Sequence, residues 1–223
     1  IVFLTKEKTP QTTTAHQLHF LEHVKWPVLR SLARSRMPSE FISFLWIMFI
    51  FGIGNFNQAL LIYRVQELWG YEHSFIVATS QGVLLYAFFN IIRACSEFGM
   101  GTLSDYVDRK KLLAIFGFGF FGITALGFLA HTTSLWFWLL FFGCAGVSAG
   151  TVKALEKAHA AYIVPEDVRG TGMGLLQSVD GIGDLISSIV VGGLWSAITP
   201  AVGLIYAAVM SFVAMVLLLR GRS

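Results

Sequence analysis

Two carboxylates, Asp180 and Asp184, stand one helical turn apart inside an apolar stretch over residues 170–194. They lie about 15 and 21 Å along that stretch from Gly170, which puts Asp180 near its middle. Ionisable groups in such surroundings are costly and mark a function or a partner. Two neighbouring carboxylates in low dielectric resist carrying two charges at once, so one can hold a proton at neutral pH and release it when a cavity opens to the other side. Glu156, three residues after Lys153 in another apolar stretch, is a third candidate for that proton chemistry. The alternative is an ion-paired cluster in which Lys153 or Arg93 neutralises the aspartates and only ties helices together. The cations able to grip an anionic solute are Arg64 and Lys153, with Asn57 and Gln58 as neutral hydrogen-bonding partners. Each cation has a second reading. Lys153 can snorkel to the surface with Lys157, and Arg64 can anchor a helix end beside Glu67.

Six long apolar runs must position these groups: 41–68, 75–99, 112–130, 134–164, 170–194 and 201–219. A bilayer core of ~30 Å needs roughly 20 apolar residues in a helix, and strand barrels use alternating segments of about 10, which this chain lacks. With 55% hydrophobic and 13% charged residues and a mean hydropathy of +0.68, an ordinary soluble domain is excluded. The fold class is therefore an all-α polytopic membrane protein. Polar residues fall in stripes: Tyr86, Asn90, Arg93 and Glu97 on the second run, Gln177, Asp180, Asp184 and Ser187 on the fifth. The third and sixth runs carry no charge.

Positively charged loops stay on the cytoplasmic side, and the 16 Lys and Arg residues are distributed accordingly. They precede the first run, follow the second as Arg109, Lys110 and Lys111, follow the fourth as Arg169, and close the chain as Arg220 and Arg222. Both ends are therefore expected inside, as six crossings of the cell membrane require. The basic pI of about 9.0 follows from this topology, so no nucleic-acid partner is expected. Residues 1–40 read as the end of a preceding helix (1–4) plus a cytoplasmic linker with an amphipathic helix over 19–33, and 220–223 as a cytoplasmic tail. Cys95 and Cys144 lie within apolar runs, so neither a disulfide framework nor a metal site is expected, and nothing calls for a cofactor. Two catalytic-looking strings are weak. His19 to His23 fits H-x-x-E-H without a domain around it, and Gly146 to Gly150 fits G-x-S-x-G inside an apolar helix, where small residues serve packing. No catalytic residue is assigned.

The string GTLSDYVDRKKL after the second run is similar to the signature of the major facilitator superfamily, with Gly101, Leu103, Ser104, Asp105, Arg109 and Lys110 on its pattern. Asp108 stands where that family usually has glycine. GNFNQALLIYR from Gly54 and VPEDVRGTGMG from Val164 look like the seventh helix and the tenth-to-eleventh link of a permease. The chain thus resembles the C-terminal six-helix half of a twelve-helix transporter, which implies an N-terminal half as partner. The resemblance implies transport of a small solute by alternating access, with the signature loop as a conformational latch and the first and fourth helices lining a central cavity. It also implies that Asn90, Arg93, Glu97 and Gln177 on the second and fifth helices meet the other half. A membrane-embedded receptor or enzyme on six helices is the alternative.

Overall fold

The computed structural model describes residues 37–69 and 75–221. The expected linker helix over 19–33, the helix end over 1–4 and the H-x-x-E-H string lie outside the described residues. From Pro38 onward the chain forms one unit, helical throughout with no strand among the described residues. Its elements are α1 (Ser39–Gly52), α2 (Ala59–Trp69), α3 (Phe75–Leu103), α4 (Arg109–Leu112), a π-helical stretch Leu113–Gly119, α5 (Phe120–Gly127), α6 (Leu135–Ile163), a 3-10 turn Glu166–Val168, α7 (Arg169–Ala197) and α8 (Pro200–Arg220). Five helices are long and apolar enough to cross a membrane, with α4, the π stretch and α5 counting as one, and α1 is a shorter apolar helix.

The first run does not form one helix. It stops at Gly52 and resumes at Ala59, across a segment rich in Gly and Asn, which favour turns over helix. The amides of Ile53, Gly54 and Asn55 fold back onto the carbonyls of Phe49, Phe51 and Gly52. The Asn57 side chain then accepts from the Ala59 amide at 2.9 Å and starts α2. The other helices end where local chemistry requires. Asp108 starts α4 by accepting from the Lys110 amide at 2.9 Å, so the carboxylate found in place of glycine serves as a helix cap. Pro165 follows the end of α6, and Pro200 opens α8.

Tight packing depends on glycine at two crossings. A Cβ on Gly146 would sit 2.8 Å from the Phe89 carbonyl oxygen, and one on Gly150 would sit 2.8 Å from the Glu97 amide nitrogen. The G-x-S-x-G string is therefore the groove in which α6 receives α3, the most extensive helix pair of the bundle. At the second crossing a Cβ on Gly183 would lie 3.0 Å from the Gly52 Cα, so the backbones of α1 and α7 touch where α1 ends.

The π stretch widens the third span. Two buried hydroxyls serve its carbonyls: Ser148 Oγ on α6 donates to the Gly117 oxygen at 2.7 Å, and Ser211 Oγ on α8 donates to the Phe118 oxygen at 2.6 Å. Aromatic side chains fill the rest of the interior, with Phe51 stacked on Phe118 at 4.3 Å and Phe128 edge-on to Trp138 at 5.0 Å. The outer link between the third and fourth spans is tied by two indoles, Trp69 Nε1 to the Thr133 oxygen and Trp138 Nε1 to the Thr132 oxygen.

Candidate functional site

A cavity of about 240 Å3 lies against the break in the first span and is shared by α1, α2, α3, α5, α6 and α7. The break contributes Asn55, Phe56 and Gln58, α3 contributes Phe89 and Arg93, and α6 contributes Ser148, Lys153 and Glu156. From α7 come Asp180 and Asp184, which flank the glycine pressed against the end of α1. That crossing sets the two aspartates beside the break: without a side chain at Gly52 or Gly183, nothing separates the two backbones. Glu156 is 4% exposed, and its nearest ionic partner is Lys153, whose Nζ stands 3.9 Å from Oε1. That is an ion pair without a hydrogen bond, since the gap exceeds the ~3.2 Å limit of a charged N–H···O contact. Lys153 is half-buried and lines the cavity.

The structure therefore draws together the three carboxylates singled out for proton chemistry, Asp180, Asp184 and Glu156, along with Gln58 and Lys153. Arg93, assigned to a contact with another half, lines the same cavity. Arg64 and Asn57 do not line it. Arg64 is buried midway along α2, where Nη1 donates to Glu67 at 2.9 Å and Nη2 lies 3.2 Å from His131 Nε2. The anchoring beside Glu67 is what the geometry displays. Asn57 is exposed and caps α2. Asn55, two residues earlier in the same Gly/Asn string, takes the lining position instead; its type was visible in the sequence, but its direction depends on the turn.

At the other end of the bundle the signature loop forms a second cluster. Ser104 Oγ donates to the Gly101 oxygen at 2.7 Å, and Arg109 pairs with Asp105 at 3.6 Å, donates to the Ala158 oxygen and lies 5.5 Å over the Tyr162 ring. Lys110 Nζ meets Glu40 Oε1 at 2.8 Å, which joins the loop to the first turn of α1. Sequence reasoning missed Glu40, because nothing in its spacing ties it to a residue 70 positions away. Gly99 and Gly101 have open space where a Cβ would go, so no helix packs closely on them among the described residues. Leu103 and Asp105 are exposed. Asn90 turns its amide back to the Tyr86 oxygen at 2.8 Å, while Glu97 and Gln177 are exposed. Ser148 is no free nucleophile, because its hydroxyl is buried and given to Gly117.

A family model described as Major Facilitator Superfamily matches residues 42–223. The chain is 32% identical over 187 residues to an uncharacterized MFS-type transporter of Methanocaldococcus jannaschii, a match that covers 82% of this chain and 45% of that protein. The chain thus spans about half the length of the curated relative it matches. No solved structure matches.

Proposed function

The chain belongs to the Major Facilitator Superfamily and is a multi-pass protein of the cell membrane, and from that premise we propose that it moves a small solute by alternating access, coupled to protons. One observation carries this reading: three carboxylates from two helices meet at a cavity bounded by an interrupted helix. Broken helices supply polar backbone at membrane depth only where they line a cavity, and transporters place their solute and ion sites there. Asp180, Asp184 and Glu156 are the proton-carrying groups, and Gln58 with Asn55 orients the solute. The signature loop acts as a latch. Its Lys110–Glu40 bridge couples the loop to α1, the helix that ends at the cavity, so a change at one end is felt at the other. A further helical half completes the cavity, in keeping with the 45% share of the relative that this chain spans. The exposed polar residues Glu97 and Gln177 face that half.

The test uses the complete gene product in proteoliposomes, with a panel of labelled amino acids, sugars and organic ions under an imposed pH gradient. Asp180→Asn should lose gradient-driven accumulation of the accepted solute while keeping solute exchange. Unchanged accumulation would remove Asp180 from coupling, and binding without flux of any solute would make the protein a receptor.

A further inference from the structure

We infer that His131 is a pH sensor on the outer face: its imidazole is a catch that ties α2 to the link between the third and fourth spans, and a proton from outside opens it. The inference goes beyond the transport reading and stands on contacts that do not involve the carboxylates of the cavity. The chemistry of one contact fixes the resting state. Arg64 Nη2 lies 3.2 Å from His131 Nε2. A guanidinium has only donors and keeps its charge, so Nε2 is the acceptor and the ring is neutral, with its hydrogen on Nδ1. An imidazolium carries N–H on both nitrogens and has nothing with which to accept. Protonation therefore ends this bond and sets a second positive charge beside the first. His131 is exposed whereas Arg64 is buried, so the ring is the partner that leaves for water. Arg64 Nε is already buried without a partner among the described residues, and losing His131 leaves the guanidinium to Glu67.

Position gives the catch its leverage. α2 begins at the cavity, where Gln58 and Leu61 line the wall, and runs to the outer end of the first span. Among the described residues two side-chain bonds cross from α2 to the link, Arg64 to His131 and Trp69 Nε1 to the Thr133 oxygen at 3.2 Å. Trp138 Nε1 holds the link itself to α6 through the Thr132 oxygen at 3.0 Å, so the link is the fixed partner and α2 the one released. Of the two crossing bonds, the first alone can be titrated. Few charges compete for the ring. Glu67 sits beside Arg64 on the same helix, and Tyr63 turns to Trp195. α3 packs on α2, and residues 75–85 of its outer turns, 120–143 around the link and 195–205 before and within α8 hold no titratable side chain besides His131. Glu72 and His73 fall outside the described residues. The link lies opposite the basic loops, so the proton that opens the catch comes from outside. An acid exterior thus frees the outer half of the broken span and leaves Trp69 as its tie to the link.

The experiment follows amide hydrogen exchange of residues 64–69 by mass spectrometry in the complete protein in liposomes, each rate divided by the unfolded-chain rate at the same pH. Between about pH 8 and pH 5.5, the range in which an imidazole changes charge, wild-type protection should fall about tenfold, the worth of one hydrogen bond to a charged group. His131→Gln, whose side-chain oxygen accepts from Arg64 at every pH, should stay protected throughout. His131→Lys, which cannot accept, should be as loose at pH 8 as the wild type is in acid. His73→Gln should follow the wild type. Wild-type protection that is flat across this range would overturn the inference. So would an acid loss that persists in His131→Gln, one that His73→Gln abolishes, or a His131→Lys protein as protected as the wild type at pH 8. None of these results bears on whether the cavity carries a solute, which the flux assay decides separately.

Discussion

At the scale of single residues, hydroxyls give the interior its register. Ser148 and Ser211 reach from two different helices to consecutive carbonyls of the π stretch, and both are buried. Removing either leaves a carbonyl oxygen with one partner fewer in a medium that offers no water. Ser211→Ala should therefore cost about 1 kcal/mol, read as a lower midpoint of thermal unfolding in detergent, with no change in solute affinity because Ser211 does not touch the cavity. An unchanged midpoint would mean that the π stretch holds itself. The neighbouring pair Lys153 and Glu156 is the opposite case. Its 3.9 Å gap leaves a lysine free to yield its place, whereas the hydroxyl bonds are short and fixed.

At the scale of elements, the closest crossing is the one most sensitive to added volume. Gly150→Val would drive a side chain into the α3 backbone, which has no rotamer to give, and should cost about 1–3 kcal/mol or block folding. Gly143→Ala, on the same helix, would meet only the Phe88 ring at 3.7 Å and should be tolerated. Equal stability of the two variants in detergent would refute the close crossing. The contrast also shows what sequence can reveal. The spans were legible because a bilayer demands a minimum apolar length, and five of the six runs appear as continuous spans whose ends fall within a few residues of those expected. The break at 53–58 was not anticipated, although two glycines and two asparagines within six residues, 52–57, were its signal. The π stretch had no such signal, since it depends on hydroxyls supplied from 31 and 93 positions away. The stripes located the polar residues by element, but not which stripes would meet. Arg93 and Asp184 share a cavity only because α3 packs on α6 and α7 packs on α1.

At the scale of the whole molecule, burial is uneven. In its most apolar window α3 is 11% buried and the helix ending with α7 is 22% buried, against 39–50% for the other spans. Lipid suits their apolar residues, but Glu97 and Gln177 lie on the same two helices. A photo-crosslinker attached to the exposed Cys95 on α3 should therefore capture polypeptide outside residues 1–223, identified by mass spectrometry of the complete protein in membranes. Capture of lipid alone would mean that α3 faces the bilayer. One consequence of the π stretch also belongs at this scale. A π turn holds one residue more than the α turn it replaces. Losing a single codon from a regular α turn of this span would rotate everything before it by about 100° around the helix axis, whereas losing one within 113–119 would convert the wide turn to an α turn and keep that phase. Only the first loss would turn Lys110 away from Glu40, with every residue of the signature still present. The phase between the loop and the bundle is thus a matter of counting, and a mutation that preserves every motif can still silence the protein.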